Sequence, residues 1–252
     1  MSLTGKVAIV SGAAQGLGLA FAERLAREGC HVLGFDIQPS IEKVAGITGV
    51  VADVSRREDV ERVVEQAAGM GEIAVLINNA GTWRPTPVDS SWEQALADWD
   101  FIMDTNLKGV LMLSRAVVPH MKKKGGHIIN LSSYYVLPAK SDGTNPPNTD
   151  LYNASKWALN GFTDAWAKYL DKDGIRVNGM AMGAVDTPML RGLFPGGKLP
   201  SEMAAVVMNA EDIAQQMIEI IESGRTGENF GAWIGEPIGI GKQPPLHQRI
   251  TG

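Results

Sequence analysis

The stretch KVAIVSGAAQGLG, Lys6 to Gly18, decides how the rest of the chain is read. Its opening run, Lys6 to Ser11, is short and rich in Val and Ile, as a strand covered on both faces should be. Gly12, Gly16 and Gly18 follow at once and open a segment with helical patterning to Glu28. Glycine admits a positive φ, lets an anion come close to the backbone and lets a helix sit tightly on a strand, while the helix N-terminus presents N–H groups without intrahelical partners. Gly12, Gln15, Gly16, Leu17 and Gly18 therefore outline a cradle for a pyrophosphate, and hence a dinucleotide site.

Asp36 strengthens that reading. It closes the next short apolar run, His31 to Phe35, where a carboxylate can accept both hydrogen bonds from an adenosine ribose and would repel a 2′-phosphate. Gln15 and Ile37 bring no positive charge beside it, so NAD is expected rather than NADP.

The alternation continues along the chain. A third strand falls near Val50, a helix spans Arg56 to Ala68, and IAVLIN, Ile73 to Asn78, is a fourth strand. Helical segments fill most of the interval to Lys124, and HIINLS, His127 to Ser132, is a fifth strand after Gly125 and Gly126. A helix from Tyr152 to Leu170, a strand IRVNGMAM, a helix from Ala210 to Ser223 and a last strand within NFGAWIG complete the pattern. Strand and helix in turn imply an α/β fold, a Rossmann-type doubly wound parallel sheet of seven strands with helices on both faces. No shift in composition divides the chain, so one domain over residues 1–252 is expected. Irregular loops are expected at Leu137 to Asp150 and Met182 to Pro200, a substrate loop at about 182–208, and a tail from Pro237 to Gly252 that frays or packs on a neighbouring subunit.

Composition limits the partners. The 252 residues are 44% hydrophobic with a formal charge of −5, which excludes disorder and leaves no broad basic field for nucleic acid or an anionic membrane. One cysteine, Cys30, allows no internal disulfide, and the four histidines show no close metal-binding spacing, so a reducing compartment and no metal are expected. No apolar run is long enough for a signal-peptide core or a membrane span. A cytoplasmic protein acting on small molecules, or assembling with copies of itself, is the expectation.

Tyr152 and Lys156 lie four apart at the start of a helix and share one face. An ammonium beside a phenol favours the phenolate and should bring the tyrosine from about 10 toward neutrality. With SGAAQGLG, Asp36, the pair Asp53 and Val54, the run Asn78 to Gly81, Asn106 in TNLKG, Ser132 and Ser133 after the fifth strand, and YNASK at Tyr152 to Lys156, the chain resembles the single-domain short-chain dehydrogenase/reductase family over most of its length.

The resemblance implies that Ser133 hydrogen-bonds the substrate oxygen, Tyr152 exchanges its proton, Lys156 binds the nicotinamide ribose and lowers the tyrosine pKa, and Asn106 holds a water for a proton relay. It places Asp53 and Val54 at the adenine, Asn79, Ala80 and Gly81 beside the ribose, and Gly183, Val185 and Thr187 at the carboxamide and phosphate. It also implies a homotetramer or homodimer joined through Gly109 to Lys122 and Tyr152 to Leu170. The chain departs from the family at Ser11, where Thr is usual, and at Met182-Gly183, where Pro-Gly is common. The interval from Ser133 to Tyr152 is longer than usual, which reads as an enlarged rim over the pocket, and GEPIGIGK replaces a shorter ending.

Trp83, Arg84, Tyr134, Tyr135 and the segment carrying Met189, Leu190 and Phe194 are expected around the substrate, with Arg84 available to an anion. Their character points to a hydrophobic, aromatic or cyclic secondary alcohol or ketone. Trp92, Trp99 and Trp166 are expected in the core. An NADPH-dependent ketoreductase and a non-catalytic dinucleotide-binding regulator are the competing readings.

Overall fold

The structure is a computed structural model and describes residues 2–122, 124–136, 147–205 and 207–232. Seven strands form one sheet: β1 (Val7–Ser11), β2 (His31–Asp36), β3 (Thr48–Val51), β4 (Ile73–Asn78), β5 (Gly126–Leu131), β6 (Ile175–Met182) and β7 (Asn229–Ala232). Their order is β3-β2-β1-β4-β5-β6-β7 and every pairing is parallel. The chain thus winds outward in one direction from β1 to β3 and in the other from β4 to β7. Such a reversal leaves a crevice at the carboxyl ends of β1 and β4, the place where open α/β sheets bind ligands.

Helices α1 (Gly16–Arg27), α2 (Arg57–Met70), α3 (Trp92–Met103), α4 (Val110–Met121), α5 (Asp150–Leu170), α6 (Pro188–Arg191), α7 (Ser201–Ala204) and α8 (Ala210–Glu222) complete the fold. Successive residues of β1 point to opposite faces. Ala8 and Val10 join Phe21 and Leu25 of α1 and Ile213 and Met217 of α8, whereas Val7 and Ile9 join Val63 of α2, Leu113 of α4 and Leu170 of α5. Burial on both sides explains why the strands read as continuous apolar runs.

Several expectations need amendment. The helical interval before Lys124 contains a π-helical turn, Asp104–Gly109, between α3 and α4. The stretch read as irregular from Met182 holds two short helices. Thr187 Oγ1 caps α6 by accepting the Leu190 N–H at 3.2 Å. The base of this flap is closed where the Asp186 N–H donates to Met208 O (2.8 Å) and the Met208 N–H to Ala184 O (3.1 Å). Trp92 and Trp99 are not core residues: they are 82% and 52% exposed and with Leu96 form an outward stripe on α3. A helical spacing of apolar residues fixes a face but not what covers it. Trp166 does pack on the core and stacks on Phe162. The tail 237–252 and most of the long interval before α5 lie outside the described residues. No helix among the described residues is long and apolar enough to cross a membrane.

Candidate active site

The glycine turn is built as its sequence requires. Gly12 has φ +67°, and a Cβ there would stand 2.9 Å from the Cα of Ala80. A Cβ on Gly18 would meet the Gly12 carbonyl oxygen at 1.9 Å, so only glycine lets α1 start this close to β1. No side chain caps the N-terminus of α1 at Gln15, which leaves its first N–H groups facing the crevice. Ser11 stitches the two strand ends together: its Oγ accepts the N–H groups of Asn79 and Ala80 at 3.0 Å each, and the Asn79 carboxamide donates to the carbonyls of Ser11 and Gly12. The hydroxyl that replaces the family's usual threonine is therefore in use.

Asp36, 8% exposed, accepts the N–H groups of Ala14 (3.1 Å) and Gln38 (3.0 Å), which hold its carboxylate at the end of β2. Asp53 accepts the backbone N–H and hydroxyl of Ser55 at 2.8 and 2.7 Å, beside the buried Val54. These groups line a single cavity of about 1010 Å³. Gly12, Gln15, Gly16, Leu17, Gly18, Asp36, Ile37, Asp53 and Val54 form one end of its wall. Asn79, Ala80, Gly81, Gly183, Val185 and Thr187 continue it, and Ser133, Tyr152 and Lys156 lie along the same cavity. The cavity is large enough for a dinucleotide and a small substrate together.

Tyr152 and Lys156 lie on α5 one turn apart, and Ser133 follows β5. Ser133 stands close enough to Tyr152 to act against its raised pKa, and its Oγ accepts the Tyr135 N–H at 3.3 Å. The Lys156 ammonium donates to Leu131 O at 2.8 Å and stands 5.6 Å from the centre of the Tyr152 ring. Burial pushes Tyr152 up to about 12. The same burial lowers Lys156 to about 8. The tyrosine expected to be brought toward neutrality is instead raised, because withdrawal from water is the largest influence on it and Ser133 offsets that only in part.

Asn106 is not in the cavity wall. Fully buried in the π-helical turn, it accepts the Thr82 N–H at 2.7 Å and donates to Thr82 O (3.0 Å) and Ser155 Oγ (3.2 Å). Ser155 in turn donates to Tyr152 O at 2.7 Å, so Asn106 ties the loop after β4 to the first turn of α5. Its carboxamide is thus engaged on Thr82 and Ser155 and holds the two elements together.

Trp83, Tyr134, Met189, Leu190 and Phe194 line the cavity, joined by Tyr135, Phe101, Leu193 and Met203. Arg84 does not offer a free charge. Its guanidinium pairs with the buried Asp98 at 2.7 Å, donates to Ala97 O and lies 4.1 Å above the Phe101 ring. It borders a recess of about 410 Å³ between Trp83 and Leu193. Phe101 and Met203 were not legible in the sequence, since neither lies in a motif. Their helices bring them in.

Comparison with known proteins agrees with this geometry. The profile of the short chain dehydrogenase family matches residues 6–196. The chain is 35% identical over 232 residues to the 3-oxoacyl-[acyl-carrier-protein] reductase FabG of Thermotoga maritima, covering 82% of this chain and 91% of that one. It is 37% identical over 197 residues to the oxidoreductase UcpA of Escherichia coli, covering 74% and 72%. The crystal structure of a 3-ketoacyl-(acyl-carrier-protein) reductase from Brucella melitensis complexed with NADH superposes with a TM-score of 0.78 at 28% identity, over 94% of this chain and 100% of that one. The chain belongs to the short-chain dehydrogenase family of oxidoreductases.

Proposed function

We propose that this protein is an NAD(H)-dependent oxidoreductase that interconverts a secondary alcohol and a ketone on a hydrophobic, aromatic or cyclic small molecule. The observation that carries the reading is the convergence of Ser133, Tyr152 and Lys156, the last with its ammonium 5.6 Å from the tyrosine ring, in the cavity whose other end is bounded by Asp36 and the glycine turn.

The residues fit a dinucleotide. The cradle closed to any Cβ at Gly18 and the uncapped start of α1 suit a pyrophosphate, and the Asp36 carboxylate suits a ribose diol. Asp53 and Val54 would flank the adenine, Asn79, Ala80, Gly81 and Lys156 the second ribose, and Gly183, Val185 and Thr187 the carboxamide side. Asp36 disfavours the 2′-phosphate of NADP by charge. When bound, the nicotinamide supplies hydride-transfer chemistry.

The chain's own part is proton handling and orientation. With its phenol held at about 12, Tyr152 is a proton donor at neutral pH and can deliver that proton to a carbonyl oxygen as the carbonyl is reduced. Ser133 donates to the same oxygen and stabilises the negative charge that develops there. The Lys156 ammonium lies near enough to favour phenolate once Tyr152 has given up its proton, and in the oxidative direction that phenolate takes the hydroxyl proton back. The exposed faces of α4 and α5, the latter carrying Trp157 (41% exposed) and Tyr169 (63%), are the surfaces we assign to a homodimer or homotetramer.

Rates on a panel of secondary alcohols and ketones with NAD(H) and NADP(H) test the assignment. Turnover should favour NAD(H), and Tyr152→Phe should lower kcat by about 100-fold or more while cofactor affinity changes little. Unchanged turnover in Tyr152→Phe would remove the tyrosine from the chemistry.

A further inference from the structure

We infer that the site selects an uncharged, free substrate and disfavours one carried on an anionic arm, an inference that rests on the oxidoreductase reading above. The charges around the cavity carry it. Four carboxylates, Asp36, Asp53, Asp100 and Asp104, stand in the wall, and Lys156 is the one cation among its described residues. Lys156 is 5% exposed and already donates to Leu131 O, so it cannot reach out to an incoming anion.

Three cations beside the wall are already paired. Arg84 is held by Asp98, Arg191 by Asp186 at 2.6 Å, and Lys108 by Asp104 at 3.0 Å. Asp100 differs: it is exposed and has no ion-pair partner among the described residues. Beside it the wall is apolar, with Phe101, Leu193 and Met189 each 44–48% exposed. A neutral planar compound finds dispersion contacts here. A phosphate or carboxylate there meets the unpaired Asp100 and, among the described residues of the wall, no free counter-charge.

The two reductases to which this chain is similar are named for acyl-carrier-protein thioesters, so the inference separates this chain from the substrate type in those names. Sharing the reaction does not require sharing the carrier, because the reacting atoms meet Ser133 and Tyr152 while the carrier meets the rim.

Two pairs of ketones test it, each sharing its reacting carbonyl and differing in the anionic charge carried beyond it, with the benzoate pair the closer match in size. One is the acetoacetyl thioester of N-acetylcysteamine against that of coenzyme A; the other is methyl 4-acetylbenzoate against 4-acetylbenzoate. Reduction is followed with NADH and separately with NADPH. In whichever pair is turned over, kcat/KM for the neutral member should exceed that for the anion by about tenfold or more at low salt, and the ratio should shrink as the Debye length falls from about 10 Å at 0.1 M salt to about 3 Å at 1 M.

Asp100→Lys should narrow the low-salt ratio at least threefold. An anionic member reduced as well as its neutral partner would overturn the charge argument while leaving the oxidoreductase reading in place. A ratio that ignores both salt and Asp100→Lys would show shape, not charge, at work and would overturn it equally. Failure to reduce any ketone of either pair or of the wider panel, with either cofactor, would remove the oxidoreductase reading and this inference with it.

Discussion

Acidification should destabilise this protein through one buried histidine. His127 lies on β5, fully enclosed, with Nε2 2.7 Å from the Asn178 carboxamide nitrogen and Nδ1 without a hydrogen-bond partner. Since a carboxamide nitrogen only donates, Nε2 accepts and the neutral ring carries its proton on Nδ1. Burial, assisted by the neighbouring Arg176 charge, lowers the pKa from 6.5 to about 3. A second proton would also turn the acceptor at Nε2 into a donor facing a donor. Between those two pKa values the unfolded chain binds more protons than the folded one, so stability falls as pH falls through that window.

At about pH 4.5 the gap is about two pKa units, or ~3 kcal/mol lost relative to pH 7, a large share of a typical domain's ~5–15 kcal/mol. Carboxylates titrate over the same range, so the contribution of His127 is isolated by comparing the wild type with His127→Gln, which offers Asn178 an oxygen acceptor and has nothing to protonate. Urea midpoints converted to free energies at about pH 7 and about pH 4.5 provide the measure. The variant should start less stable at neutral pH from imperfect packing, yet lose ~3 kcal/mol less on acidification. Parallel losses in the two proteins would refute the reasoning, because the acid sensitivity would then belong to other groups.

Three further outcomes follow from the site. Asp36→Ala removes the carboxylate at the end of β2 and should reduce the preference for NAD over NADP by about tenfold, about 1.4 kcal/mol, read from the ratio of the two kcat/KM values. Gly18→Ala places a methyl group against the Gly12 carbonyl and should raise the Kd for NADH by at least about tenfold in a fluorescence titration, by prising α1 from the turn. Arg84→Ala strands the buried Asp98 beside the remaining Gln94 hydrogen bond and should lower stability by roughly 1–3 kcal/mol, discounted for a guanidinium that is one-third exposed. Because Asp98 is then left without its cation, the preference for neutral substrates should be kept or widened, not narrowed.

What the sequence disclosed and what it withheld divide along a physical line. The bounds of β4 were legible because a strand buried on both faces forms an unbroken apolar run that ends abruptly at a polar residue. The turn from Gly12 to Gly18 was legible because steric exclusion acts on adjacent residues. The π-helical turn at Asp104–Gly109 was not, since one wide turn barely disturbs a helical period. The raised pKa of Tyr152 was not either. Spacing shows that a lysine shares its face, but desolvation comes from elements far away in the chain. Arg84 and Asp98, fourteen positions apart, carry no mark of their pairing, so a guanidinium committed to a buried carboxylate looked in the sequence like one free for substrate.

The same division explains how the reactive group is held in place. Tyr152 and Lys156 belong to α5, Ser133 to the end of β5, and their geometry depends on how that helix docks on that strand. The docking is polar as well as apolar: Lys156 Nζ donates to Leu131 O, Ser132 Oγ to Lys156 O at 3.4 Å, and the Asn130 carboxamide to Thr163 Oγ1 at 3.0 Å, about two helical turns further along α5. Asn130 is itself fixed by Asn78 of β4, which also donates to Ser114 of α4. An apolar contact would let α5 slide or rotate by fractions of an ångström at little cost, whereas a chain of buried hydrogen bonds has one arrangement that satisfies its donors. Ser133 and Tyr152 must meet one substrate oxygen, and a displacement of an ångström would separate them. Buried asparagines are a poor way to fill a core, and their presence between β4, β5, α4 and α5 is accounted for by the register they impose on the site above them.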